Sequence, residues 1–335
     1  MTTPFRLFSL PFIPLKQVLD NFGPHGILIL SLCSQRSKSI AVSYRGPSKD
    51  VKLQLTATYS NIYALANDFN DIWNAIDIKD FKNIELPTLS SGQFQGVQYK
   101  MHEDCLVTFW EDKLTGLLEI GKYAREIFNR DIYQIYVGGK DADRYKRLIE
   151  WTMDTQEYIK DFIYIENEHT HDQDLDYILE NVKCSNLSLS AKPSENYRPA
   201  KPFVFNLCKL HILNSFWIKP EVLLGINSKI IKLEDSKLTS QDFNVFLKHW
   251  MTGGCSKLKL LHVSVEEAVN YETVFDGVEF IERGEDVERV LKIEGEHNIS
   301  MIGGADIKGP GDNITATIKN HGENPKHFGM IVWPE

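Results

Sequence analysis

The chain is expected to fold as an α/β protein. A short helical unit leads, a small α+β module follows, strand–helix repeats form the body, and a β-rich segment closes the C-terminal side. Three observations predict this. Apolar-x-apolar pairs recur between residues 130 and 265, with their first members at 135, 163, 187, 210, 231 and 261. Apolar residues, punctuated by prolines, concentrate in the first 33 residues and end in the stretch Ile27 to Cys33. Glycine-rich turn signals crowd the chain after Tyr271. The expected segments are 1–45, 46–130, 131–268 and 269–335. With 335 residues, 42% of them hydrophobic, there is ample apolar surface for a core.

In the first segment, Pro11 and Pro14 suit the opening turn of a helix, where a missing N–H costs nothing. Leu15, Val18, Leu19 and Phe22 then recur at three- and four-residue steps and share one face. Gly23-Pro24 breaks the chain and starts a second helix. Ile27 to Leu30 with Leu32 leave that helix almost no polar side, so it is either central to a core or covered by a partner. A unit of this size cannot enclose its own core. Its apolar surface is met either by the rest of the chain or by another protein.

In the second segment, Val51, Leu53, Leu55 and Ala57 alternate with polar residues and read as a half-buried strand. Gln95 to Trp110 is β-rich, and Leu106 to Trp110 is its clearest run. Leu114, Leu117, Leu118, Gly121, Ala124 and Phe128 follow helical spacing to about Asn129. No reactive constellation accompanies them.

The third segment carries the repeat. Its copies are Ile132-x-x-Ile135-x-Val137, Ile163-x-Ile165, Leu187-x-Leu189, Leu207-x-x-Leu210-x-Ile212, Ile231-x-Leu233 and Leu258-x-x-Leu261-x-Val263. Their spacing is close to that of leucine-rich repeats. Helix signals lie between strands. The clearest is Thr239-Ser-Gln-Asp242 ahead of Phe243, Phe246, Leu247 and Trp250, stopped by Gly253-Gly254. One strand and one helix per repeat, stacked in parallel, imply an irregular leucine-rich-repeat-like solenoid. The residue between each apolar pair then faces outward. That column holds Tyr136, Tyr164, Ser188, His211, Lys232 and His262. It is either a partner-binding strip or a solvated sheet face, polar by default.

The fourth segment reads as hairpins around Gly277, Gly284, Gly303-Gly304 and Gly309-Pro310-Gly311. It is expected to hide the apolar face of the last repeat. Gly309-x-Gly311 is a turn signal and not a nucleotide loop, since no helix pattern follows it.

Composition excludes several functions. A net charge of −9 argues against a general nucleic-acid binder. Five cysteines, an odd count with no Cys-x-x-Cys, fit a reducing compartment, cytoplasmic or nuclear. The apolar run Ile27 to Cys33 is too short to span a membrane. Pro11 and Pro14 interrupt the N-terminal run and no basic stretch precedes it, so no signal peptide is expected. On that reading the Asn186, Asn298 and Asn313 sequons are chance matches. Glu166 to Asp172, with His169 and His171, is read as a helix-capping turn and not as a metal site. No catalytic motif and no cofactor motif occurs, so neither catalysis nor a cofactor is expected.

Leu10-Pro11, Leu15, Val18-Leu19, the Gly23-Pro24 turn, Leu28, Leu30-Ser-Leu-Cys33 and Arg36 resemble the F-box motif, in wording similar to the large nematode F-box families. Leu238 to Gly254, Phe109-Trp-Glu-Asp-Lys-Leu114 and Phe328-Gly-Met-Ile-Val-Trp333 resemble the F-box-associated region of the same families. One departure is Ile13, where many F-boxes carry an acid. The resemblance implies that Leu10, Pro11, Leu15, Val18, Leu19 and Leu28 face a Skp adaptor and, through it, a cullin. It further implies that the later region binds a protein substrate for ubiquitination. The alternative is a scaffold that binds the adaptor without delivering anything to the ligase.

Overall fold

Pro11, at φ −57° and ψ 157°, starts the first helix, α1 (Phe12–Asp20). Gly23, at φ 61°, lets the chain reverse into α2 (Gly23–Leu32). A third helix, α3 (Gln35–Tyr44), completes the unit. These are the first elements of a computed structural model that describes residues 7–44, 51–58, 62–66, 76–80, 91–94, 97–102, 105–139, 142–166, 168–201, 205–293, 298–312, 314–320 and 325–333. Leu19, Ile27, Leu28 and Ala41 are buried. Ser31 Oγ donates to the Leu28 carbonyl at 2.6 Å and accepts from the Tyr123 hydroxyl at 3.0 Å, which anchors α2 to the body behind it.

That body contains β1 (Leu53–Ala57), β2 (Ile62–Ala66), β3 (Ile76–Asp80), β4 (Ser91–Phe94), β5 (Val97–His102), β6 (Cys105–Trp110) and α4 (Lys113–Phe128). After them come β7 (Ile132–Gly138), α5 (Ala142–Thr155) and β8 (Ile159–Ile165). Asp112 caps α4 by accepting from the Leu114 and Thr115 amides at 3.2 Å, and Asn129 ends it in the left-handed region. The strands lie in the order β7-β1-β2-β3-β6-β5-β4. Strand β1 is not half-buried as its alternation suggests: all five of its residues are enclosed. Leu55 packs under Gly121 of α4, where a Cβ would come within 3.2 Å of it. On the other face, Gln54 Nε2 donates to Thr56 Oγ1 at 3.0 Å, so the polar residues of β1 are partly satisfied without water. Residues 95, 96, 103 and 104 of the expected β-rich run lie outside the described residues.

The chain divides into two compact units, Met1–Ile163 with Asn181–Lys183, and Tyr164–Glu180 with Cys184–Glu335. The four expected segments do not coincide with them. Strand β1 pairs in parallel with β7, Leu55 opposite Ile135, so strands on both sides of residue 130 share one sheet.

The second unit contains α6 (Asp172–Asn181), β9 (Cys184–Ser190), β10 (Lys209–Leu213), α7 (Pro220–Gly225), β11 (Ile230–Ser236), α8 (Ser240–Met251), β12 (Leu260–Val265) and α9 (Tyr271–Val274). It ends in β13 (Ile281–Leu291), β14 (Ile299–Lys308), β15 (Thr315–Asn320) and β16 (His327–Val332). The order is β9-β10-β11-β12-β16-β15-β14-β13, parallel from β9 to β12 and antiparallel beyond. Leu187, Leu189, Leu210, Ile212, Ile231, Leu233, Leu261 and Val263 are buried, as the alternation requires. Phe243 of α8 stacks on Phe328 of β16 at 4.2 Å.

The C-terminal strands do more than hide a last repeat. Strand β16 extends the sheet beside β12, with Leu261 opposite Met330. Leu291 and Met301 of the β13–β14 hairpin pack on Ile230, Leu260 and Ile331. Gly304, at φ 101°, bends β14; a Cβ there would lie 2.8 Å from the Ile318 carbonyl oxygen. Among the described residues, no helix is long and apolar enough to cross a membrane, and no group of three or more His, Cys, Asp or Glu could hold a metal ion.

Candidate interaction surfaces

Two surfaces stand out, one on the N-terminal helices and one on the parallel strands of the second unit. On α1, Phe12 and Ile13 are 73% and 70% exposed, and Phe22 follows at 39%. Lys16 pairs with Asp20 at 2.9 Å, and the Tyr44 hydroxyl donates to the same carboxylate, which ties α1 to α3. Arg36 Nη2 donates to the Phe8 carbonyl at 2.9 Å and holds the residues ahead of α1.

The six residues expected to face an adaptor divide. Pro11 is exposed, and Leu10, Leu15 and Val18 are half-buried. Leu19 and Leu28 are enclosed, at 1% and 2% exposure, so these two are corrected to core positions. The physical reason is that α1 packs on α2 and α2 on α4, and both leucines lie on the enclosed sides. Phe12 and Ile13 were missed. Helical periodicity finds the face that the chain itself buries, and Ile13 falls on the opposite side of α1.

On the second surface, hydrogen bonding sets four of the expected column residues in one line. Ser188 lies opposite His211, His211 opposite Lys232, and Lys232 opposite His262. All four are half-buried. At a strand spacing of about 4.8 Å the column runs about 14 Å, enough to contact several residues of an extended chain. His211 Nε2 lies 2.9 Å from Glu234 Oε1, and His262 Nε2 lies 3.1 Å from His327 Nδ1. One row along the strands, Ile230, Leu260 and Ile331 are covered by the β13–β14 hairpin, which bounds the polar strip on that side. The strip thus offers both donors and acceptors.

The other two column residues do not join it. Tyr136 is on β7 in the first unit, half-buried and opposite Thr56. Tyr164 is 2% exposed, and its assignment to the outward face is corrected. In β8 the buried pair is Phe162 and Tyr164, while Ile163 and Ile165 are half-buried, so the expected register is off by one residue. Glu234 and His327 were missed. Glu234 is two residues beyond Lys232 and was legible from strand alternation, whereas His327 arrives from a strand distant in sequence.

The acidic turn with histidines serves structure. Glu166 Oε1 accepts from the Glu168 amide at 2.9 Å, and Asp172 accepts from the Ser194 amide and hydroxyl at 2.8 and 2.6 Å. Asn167 of that turn lies outside the described residues. Cys33, Cys184, Cys208 and Cys255 form no disulfide among the described residues, and burial pushes the Cys255 thiol up to about 11, so it is a poor thiolate.

The chain is similar to an uncharacterized protein of Caenorhabditis elegans, 21% identical over 285 residues, which cover 80% of this chain and 64% of that protein. It is also similar to the E3 ubiquitin-protein ligase hecw-1 of Caenorhabditis elegans, 27% identical over 116 residues, 30% of this chain and 9% of that protein. The chain therefore spans only part of either relative. No solved structure matches it significantly. Residues 199–263 match the family described as F-box associated, and this stretch holds β10, β11 and most of β12. The matched stretch includes His211, Lys232 and His262 of the strip.

Proposed function

We propose that the protein is the substrate-recognition subunit of a Skp–cullin–F-box ubiquitin ligase, acting without catalysis or cofactor in the cytoplasm or nucleus. The N-terminal helices bind the Skp adaptor, and the strip on the parallel strands binds a protein substrate. The observation that carries this reading is the coincidence of the F-box-associated match with the in-register column His211, Lys232 and His262. The adaptor half is supported by the F-box-like wording from Leu10 to Arg36 and by the exposed Phe12 and Ile13. The repeat spacing and the parallel strand–helix alternation favour a leucine-rich-repeat-like arrangement for the receptor.

The test is co-expression with a Skp-type adaptor, followed by co-purification. The wild-type chain is expected to retain the adaptor, and Phe12→Asp/Ile13→Asp to lose it with an unchanged melting temperature. Leu19 is unsuitable for this test, because a charge at so enclosed a site unfolds its surroundings. Failure of the wild-type chain to retain the adaptor, or full retention by the double variant, overturns the adaptor half. Adaptor binding without ubiquitin transfer to a strip-bound protein in a reconstituted ligase would favour the scaffold alternative.

A further inference from the structure

We propose that β13 is a docking edge for an extended, basic segment of a partner protein, which adds to the sheet as a further strand. Strand β13 ends the sheet of the second unit, and among the described residues its only strand neighbour is β14. It runs for 11 residues, nine of them exposed. Its two paired stretches, 281–283 and 288–291, each present an outer row of backbone N–H and C=O groups without a ladder partner among the described residues, the template that strand addition uses.

Side chains add two further features. Ile281 and Val290 are 56% and 48% exposed, and Ile302 of the neighbouring strand is 45% exposed. Apolar contact is thus available beside the free backbone. The strand also has an unbalanced outward charge. Its two cations, Arg283 and Arg289, are both drawn onto Asp306 at 2.8 and 2.6 Å, which offsets one of their two charges. The carboxylates of Glu282, Glu285, Asp286 and Glu288 make no side-chain hydrogen bond or ion pair with any described residue. Four unopposed carboxylates select a strand carrying Lys or Arg. They also disfavour a second copy of β13, because like charges would then meet across the new ladder. The bulge between Arg283 and Glu288 divides the edge, so the incoming strand engages the Glu288–Leu291 side or the Ile281–Arg283 side. This surface is outside the 199–263 match and does not depend on adaptor binding.

The experiment uses the full chain and a labelled peptide alternating lysine and valine, followed by fluorescence anisotropy at low and physiological salt. Saturable binding is expected, with protection of β13 amides in hydrogen exchange. A peptide N-methylated on alternate residues keeps its charge but cannot complete the ladder, and is expected to bind at least about tenfold more weakly. The exposed double variant Glu282→Lys/Glu288→Lys is expected to lose a similar factor while keeping its melting temperature. Equal binding of the methylated and parent peptides would reduce the surface to plain charge attraction and overturn the proposal. So would unchanged binding by the double variant, no binding by the wild-type chain, or self-association through β13 in sedimentation that competes with the peptide.

Discussion

Asp306 is the residue on which the C-terminal part of the second unit turns. It is 4% exposed and accepts from Arg289, Arg283 and Thr317 at 2.6, 2.8 and 2.5 Å. Trp333 Nε1 donates to Thr317 at 2.7 Å, and its ring lies 4.5 Å from the Arg289 guanidinium. Burial pushes the Asp306 carboxyl up, but the bonds from Arg289, Thr317 and Arg283 outweigh it and hold it below the ordinary carboxylate range. A folded pKa below the unfolded one stabilises the fold above the unfolded pKa, near 4 for an aspartate. That contribution is lost as pH falls from there through the folded value. Asp306→Asn keeps one acceptor oxygen but removes the negative charge that two guanidiniums share and turns an amide NH2 toward them, and should cost about 3 kcal/mol at neutral pH, near the low end for a broken buried pair because both arginines reach solvent. Urea titrations at pH 7 and pH 3 should show the gap between wild type and variant shrinking at the lower pH. A gap of the same size at both would mean the carboxylate charge is not what stabilises this corner.

At the scale of elements, α8 shows what local chemistry alone can specify. Thr239 Oγ1 accepts from the Asp242 amide at 3.3 Å, and Asp242 Oδ2 accepts from the Thr239 amide at 2.8 Å, forming a reciprocal capping box. Thr239→Ala should cost about 1 kcal/mol, read as a lowered midpoint in chemical denaturation with an unchanged slope. This helix was legible in full, since its cap, its Phe243–Trp250 face and its Gly253 stop are all consecutive. The column Ser188, His211, Lys232 and His262 was equally legible, because each of those strands flanks its outward residue with buried aliphatics. Strand β8 was not. Phe162, Ile163, Tyr164 and Ile165 are apolar on both parities, so alternation could not choose a face, and the structure buried Tyr164. Strand β16 left no local signal of its place beside β12, and with it His327 went unseen. On α1 periodicity succeeded in finding an apolar face, but it is the one turned inward at Leu19.

For the whole molecule, the two candidate surfaces rest on separate support. Phe12 and Ile13 belong to helices whose packing runs through α2 and α4, including the Ser31–Tyr123 hydrogen bond. The strip belongs to the second unit, where its polar column alternates with buried aliphatic residues of the same strands. The packing described for each surface lies within its own unit, so a change at one is expected to leave the other folded. His211→Ala/Lys232→Ala should therefore release a strip-bound protein while the adaptor still co-purifies. Truncating central polar anchors typically costs about 1–2 kcal/mol each, so the pair should weaken a partner by roughly one and a half to three orders of magnitude. Phe12→Asp/Ile13→Asp should do the reverse, losing the adaptor and keeping the strip-bound protein. Both variants should melt like the wild type, because the altered side chains are exposed or half-buried. A receptor that joins a constant adaptor to a variable client requires this double dissociation. If either variant abolished both associations at an unchanged melting temperature, the two surfaces would have to act as one, and the division of labour proposed for them would fail.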